Sequence, residues 1–228
     1  MGGMCGRFVQ AQSAQSYAEH FGATVSLDES LAPSWNVAPT DRVLAVAEHE
    51  GERRLGAFRW GLVPWYAESP TVGARHINAR AETAATSAAF KRSFADRRCI
   101  VPADGFYEWE RLEAGGKLPH YVRRADGAPL AMAGLWESWR SPEGERLTTC
   151  TILTTRPDEL VGKIHDRMPV ILAPGDWDRW LDRGLHDAAG LGDLLVPTEA
   201  GTLAEHAVST LVNSVKNNYP ECMAPLRS

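Results

Sequence analysis

Between Cys99 and Thr155 the chain alternates runs of apolar and β-branched residues with residues that turn the backbone, and no other feature narrows the fold class as far. The runs are CIVPADGFYEWE (99–110), PHYVRR (119–124), LAMAGLWESW (130–139) and LTTCTILTT (147–155), separated by Gly115-Gly116, Asp126-Gly127 and Pro142-Glu143-Gly144. Strand formers bounded by such turns predict a meandering antiparallel sheet. Upstream, VLAVA (43–47) and LGAFRW (55–60) around Glu50-Gly51 predict a hairpin, followed by a loop bracketed by Pro64 and Pro70 that carries Trp65 and Tyr66. Ala14, Tyr17, Ala18 and Phe21 share one face of a helix that Gly22 stops. Further helices are expected over 84–94, from Pro157 through Val161, and after Asp176 as a cap, with Trp177, Trp180 and Leu181 on one face before Gly184. These elements predict an α+β single domain with a curved, mostly antiparallel, barrel-like sheet and a few short helices.

A chain of 228 residues, 44% of them apolar, buries one substantial core without requiring a second domain. No apolar run approaches the ~20 residues of a membrane-spanning helix, and MGGMCGRF has neither a signal core nor a cleavage pattern. A soluble, cytoplasmic protein is expected, nucleoid-associated if the source is bacterial. Cys5, Cys99, Cys150 and Cys222 form no CxxC, which argues against a zinc knuckle or a thioredoxin-type pair. Cys99 and Cys150 read as small buried hydrophobes, and Cys222 stays undecided. No metal and no cofactor are expected. The net charge of -5 argues against a protein that coats duplex DNA, though not against a local basic groove. Lys91, Lys117, Lys163 and Lys216 are the only lysines among 24 basic side chains. Arginine suits bidentate phosphate binding, but a coding bias would produce the same ratio.

Five islands mix Cys, Asn, Arg, Glu, Trp and His without the periodicity that packing alone requires: CGRF (5–8), WNVAPT (35–40), INARAET (77–83), DGFYEW (104–109) and IHDRMP (164–169). Singly, each has a structural reading. Asn36 or Asn78 could close a turn, Glu108 could pair with a surface arginine, and His165 could bond a carbonyl at a helix end. The tryptophans could be packing residues.

Together with RWGLVPW (59–65), RRCIVPADGFYEW (97–109), IHDRMPVIL (164–172) and SVKN (214–217), the islands resemble the SRAP family, the SOS response-associated peptidases or abasic-site processing proteins. The motifs stand in family order over nearly the whole chain. The resemblance implies a single-domain protein, expected to be monomeric, that binds single-stranded DNA and captures the ring-opened aldehyde of an abasic site on an amino-terminal cysteine, here Cys5. An α-amine, with a reference pKa of about 7.7–8.0, condenses with an aldehyde to an imine, and the thiol of the same residue closes a thiazolidine with the advantage of proximity. Position by position, the resemblance implies that Asn78 orients the terminal residue and the sugar, that Glu108 lies beside the amine, and that His165 transfers protons. Arg7, Arg80 and Arg167 match phosphate-binding positions, and Asn36 falls in the DNA-binding set. Trp65 and Trp109 offer stacking surfaces, although the strand period could equally turn Trp109 inward.

In the resembled family the chain starts Met-Cys, whereas here Met1-Gly2-Gly3-Met4 precede Cys5. While Met4 acylates its nitrogen, Cys5 has an amide and no amine to condense. Translation from Met4, an artefactual leader, or cleavage of the Met4–Cys5 bond would each free it, the last fitting the peptidase name. Residues 1–4 are thus expected to be absent from the active form, with 5–228 as the single domain. Strand incision by β-elimination, a lyase activity, is left open. Two rivals remain: a thiol hydrolase of Cys5, His165 and Asn78 that cleaves peptides in trans, and a noncovalent single-strand reader in which Cys5 is incidental. Intact mass and terminal sequencing of protein from the native gene are expected to show Cys5 first, and a stable MGGMCGRF terminus in active material would contradict this.

Overall fold

In a computed structural model, which describes residues 6–26, 31–186 and 190–226, the long strand-forming segments close into a ring. The ring comprises β4 (Arg42–His49), β5 (Glu52–Trp60), β7 (Arg98–Ala103), β10 (Leu130–Arg140) and β11 (Arg146–Thr155). Antiparallel pairs join β5 to β4, β4 to β7, β7 to β10 and β10 to β11. The fifth contact is parallel, with Thr149 opposite Arg59 and Cys150 opposite Trp60. Three short strands extend the sheet: β2 (Thr24–Val25) on β5, and β6 (Asn78–Arg80) and β12 (Met168–Pro169) on β11. A second sheet orders β13 (Leu203–Ala207), β9 (Lys117–Arg124), β8 (Gly105–Arg111), β1 (Phe8–Gln10) and β3 (Ser34–Val37).

Alternation along the strands separates the cores. Leu44 and Val46 of β4 join Tyr17, Phe21, Trp177 and Trp180 under the helices α1 (Ala14–Phe21) and α4 (Trp177–Leu181), whereas Val43, Ala45 and Ala47 meet Phe8, Phe106 and Val122 of the second sheet. Val9, Tyr107 and Tyr121 face the opposite way, onto Val208, Val212 and Cys222. The buried Gln10 ties the two sheets together. Its Nε2 donates to Leu44 O at 2.9 Å and Pro102 O at 2.7 Å, and its Oε1 accepts from Leu44 N at 2.9 Å.

The α+β single domain with a barrel-like, mostly antiparallel sheet is as expected, and so are the 43–60 hairpin and α1, which Ser13 caps and left-handed Gly22 ends. The single meander is not. CIVPADGFYEWE splits at Asp104 into β7 and β8, which belong to different sheets, so the chain crosses from ring to second sheet within one apolar run. The helix expected over 84–94 is two, α2 (Ala81–Ala84) and α3 (Lys91–Asp96). Thr86 Oγ1 donates to Thr83 O between them, a local bond that competes with helix propagation. Residues 157–160 form no helix, a short 3-10 turn covers Val161–Lys163, and Asp176 precedes α4 without a side-chain capping bond. Among the described residues no helix is long and apolar enough to cross a membrane.

After β5 the backbone at Gly61 passes against Gly73 so closely that a Cβ on Gly61 would lie 2.6 Å from Gly73 O, and one on Gly73 would overlap Gly61 O. This crossing pins both ends of the 62–72 loop. Gly73→Ala is therefore expected to lower unfolding free energy by about 1–3 kcal/mol, read as a lower urea midpoint at unchanged slope; an unchanged midpoint would contradict the crossing.

Candidate functional site

Strand β11 gathers two of the five polar islands. Along one edge it pairs in parallel with β6, setting Ile152 opposite Asn78 and Thr154 opposite Arg80, while β12 lies antiparallel on Thr154 and Thr155. INARAET and IHDRMP are thereby brought side by side. On β6, Ala79 is buried in the core, while Asn78 is half-buried and Arg80 exposed, so these two share the other side as the spacing predicts. A fork of hydrogen bonds joins the islands directly. Arg167 Nη1 and Nη2 donate to Glu82 Oε1 at 2.7 Å and Oε2 at 2.8 Å, and Nη2 also donates to Thr154 O at 2.6 Å.

His165 projects from the turn between Val161–Lys163 and β12. Its backbone N–H bonds Val161 O at 2.8 Å, and Nδ1 accepts from Arg167 N at 3.1 Å, with Asp166 Oδ1 3.2 Å away. Nδ1 is thus occupied by the turn, leaving Nε2 for chemistry. Lys163, Ile164, His165 and Asp166 form one wall of an open groove of about 460 Å³, whose other wall is Trp109, Glu110 and Arg111 from β8.

The remaining islands meet in the second sheet. Phe8 pairs with Phe106, and Tyr107 N donates to Arg7 O at 3.0 Å, so the chain enters β1 beside the residue that precedes Glu108. Glu108 is 1% exposed, and a carboxylate so placed requires partners, which it has. Cys5 lies outside the described residues, as do Met1 to Met4. Arg7 Nη1 donates to Asn36 Oδ1 at 2.7 Å and Val212 O at 2.9 Å, and partial burial lowers its pKa from the usual guanidinium value. Asn36 is 3% exposed. Its Nδ2 donates to Val212 O at 3.2 Å, Ser214 O at 3.0 Å and Asn217 O at 2.8 Å, fastening the SVKN segment to β3. The Trp109 indole is half-buried against the Val9–Tyr107–Val212 cluster, and its Nε1 donates to Asn213 Oδ1 at 2.7 Å while the ring lines the groove.

The candidates thus differ in what they offer a ligand. Arg80 and Trp65 are exposed, Trp65 at 56%; its ring lies 5.8 Å from that of Tyr66, with the Arg92 guanidinium 5.3 Å above it. The Asn36 amide is closed off within the protein, and Arg7 and Arg167 direct donors at protein acceptors. Cys99, Cys150 and Cys222 are all buried, and burial pushes the Cys99 and Cys150 thiols upward, so neither is a ready nucleophile. Among the described residues, no group of His, Cys, Asp and Glu is placed to hold a metal ion. Sequence reasoning missed Glu82 and Asn213. Glu82 stood inside INARAET with no role, whereas Asn213, just before SVKN, gave no signal.

A family model described as SOS response associated peptidase (SRAP) matches residues 4–215. The chain is 43% identical over 219 residues to abasic site processing protein YoqW of Bacillus subtilis, covering 96% of this chain and 98% of that one. It is 34% identical over 230 residues to abasic site processing protein YedK of Escherichia coli, covering 98% and 100%. With abasic site processing protein HMCES of Xenopus tropicalis it shares 36% over 229 residues, covering 87% and 68%. A crystal structure of a Bacteroides thetaiotaomicron protein superimposes with a TM-score of 0.89 at 25% identity, over 98% of this chain and 100% of that one.

The hydrogen bonds from Arg167 lower the Glu82 pKa below the usual carboxylate value. A depressed folded pKa stabilises above the unfolded pKa, and that contribution is lost as pH falls through the folded value. Glu82 is half-exposed, which screens the pair. Glu82→Gln is expected to lower stability at neutral pH by up to about 1 kcal/mol, with the difference from wild type vanishing below the carboxylate range. A deficit that persists in urea titrations at acid pH would contradict the ion-pair account.

Proposed function

The chain belongs to the SOS response-associated peptidase family, and from that premise we propose that it processes abasic sites in single-stranded DNA through a covalent bond from Cys5 to the opened sugar. The observation that carries this reading is the register of β1 on β8, in which Arg7 O accepts from Tyr107 N, the neighbour of the buried Glu108. The pairing on β11 of β6, which carries Asn78 and Arg80, and of β12, which follows the His165 turn, supports it.

The chemistry requires a free Cys5 amine, reached by removal of residues 1–4; self-cleavage of the Met4–Cys5 bond suits the family's peptidase description. The amine adds to C1′ of the aldehyde and one water leaves, forming an imine. The sulfur then adds to the same carbon, the nitrogen takes up the thiol's proton, and a thiazolidine closes without oxidant or reductant. Glu108 takes a proton from the terminal ammonium, freeing the lone pair that attacks, and His165 exchanges protons from Nε2 as the sugar opens and water departs. Asn78 orients the cysteine and the sugar. Arg80 meets phosphate directly, while Arg7 and Arg167 add positive charge from behind the contacts that hold them. Asn36 acts indirectly, by holding the 212–217 segment, whose Val212 and Asn213 receive Arg7 and Trp109. Trp65 and Trp109 stack flanking bases.

The test is to mix the protein with an abasic single-stranded oligonucleotide, denature, digest, and locate the modified residue by mass spectrometry. The expected result is a denaturant-resistant adduct on Cys5, absent in Cys5→Ala and formed about 10²- to 10⁴-fold more slowly in Glu108→Gln and His165→Asn. A crosslink on Lys163 with Cys5 unmodified would overturn the assignment. Peptide turnover without an adduct would favour the hydrolase, and DNA binding with no adduct at all the noncovalent module.

A further inference from the structure

The groove that holds His165 has an acidic wall residue, Glu110, whose charge opposes entry of a phosphodiester strand. Glu110 is not left to itself. His120 of β9 lies behind it, 9% exposed, directly opposite Glu108 across the β8–β9 ladder. The His120 Nε2 is 3.1 Å from Glu110 Oε2, and its Nδ1 is 2.7 Å from Glu205 Oε2 on β13. A carboxylate oxygen accepts hydrogen bonds, so the ring N–H beside Glu110 Oε2 is the donor of that contact. The bridge crosses three adjacent strands, and Glu110 is the member that reaches the groove.

We propose that His120 is a positioning residue for DNA entry: by bonding Glu110 from behind, with Glu205 beside its other nitrogen, it draws the carboxylate off the groove, so that an anionic strand can pass between Trp109 and His165. This rests on the proposed reading of the groove as the DNA site. The neighbouring basic groups Arg111 and Lys163 then act on the strand with Asp166 as the remaining acidic group of the groove wall. The effect is electrostatic and therefore salt-dependent.

The test measures binding of an abasic-containing single-stranded oligonucleotide by fluorescence anisotropy at low and high salt, using the full chain. With His120→Asn, binding is expected to weaken by about threefold to tenfold at low salt and to approach wild type at high salt. Adding Glu110→Gln to that variant should restore the affinity, a rescue that a merely structural loss would not show. Glu110→Gln alone should bind as tightly as wild type or more tightly, and this arm stands even where the His120 variant does not fold. An unaffected His120→Asn, a double variant that is not rescued, or a Glu110→Gln that binds more weakly would each overturn the inference. Wild-type protein that fails to bind the oligonucleotide overturns the reading beneath it, whereas wild type that binds beside indifferent variants overturns only the role of His120.

Discussion

A ring of five strands cannot close on antiparallel pairs alone, because directions that alternate around an odd ring must coincide once. Here the coincidence falls between β5 and β11. A parallel pair cannot be joined by a tight turn, and β11 continues beyond the two residues that β5 occupies. The free edge past Cys150 is taken up by β6, also parallel, after the chain has made its excursion through residues 61–77. The position of Asn78 and Arg80 and the display of Trp65 on the excursion follow from that one closure.

The second sheet supplies what the ring does not. Gln10 sits in an apolar interface between the two sheets with its amide donating and accepting three bonds, which satisfies backbone groups of β4 and β7 that would otherwise be buried at a cost. By anchoring β1 it fixes Phe8 and Val9 opposite Phe106 and Gly105 of β8. Asn36 plays the corresponding part for the carboxyl-terminal segment, drawing three carbonyls of residues 212–217 toward β3. Some arginines hold the framework, as Arg7 and Arg167 do, and others such as Arg80 remain open to solvent.

Much of this was legible in the sequence where the signal was local. Gly22 stopping α1, the Glu50-Gly51 turn and the alternation of Asn78, Ala79 and Arg80 each depend on neighbouring residues, and each was read from them. The motifs of the resemblance were also local, which is why the family was visible. What stayed hidden depends on pairings far apart along the chain. The Glu82–Arg167 fork spans 85 residues, and nothing in INARAET announces its partner. Asn36 looks like any polar residue near a surface until three distant carbonyls are seen converging on it. The division of CIVPADGFYEWE between two sheets was illegible because its apolar character continues through Asp104, and only the Asp104 carboxylate, bonded to Ala11 N at 2.7 Å and Gln12 Nε2 at 2.7 Å, marks the corner.

In the proposed adduct one carbon, C1′ of the sugar, is bonded to both nitrogen and sulfur of Cys5. Carbon-13 NMR of the adduct formed with an oligonucleotide labelled at that atom reports the bonding directly. The account predicts a saturated carbon bearing nitrogen and sulfur, retained after denaturation. An unsaturated imine carbon, or a saturated one coupled to a lysine nitrogen, would contradict it.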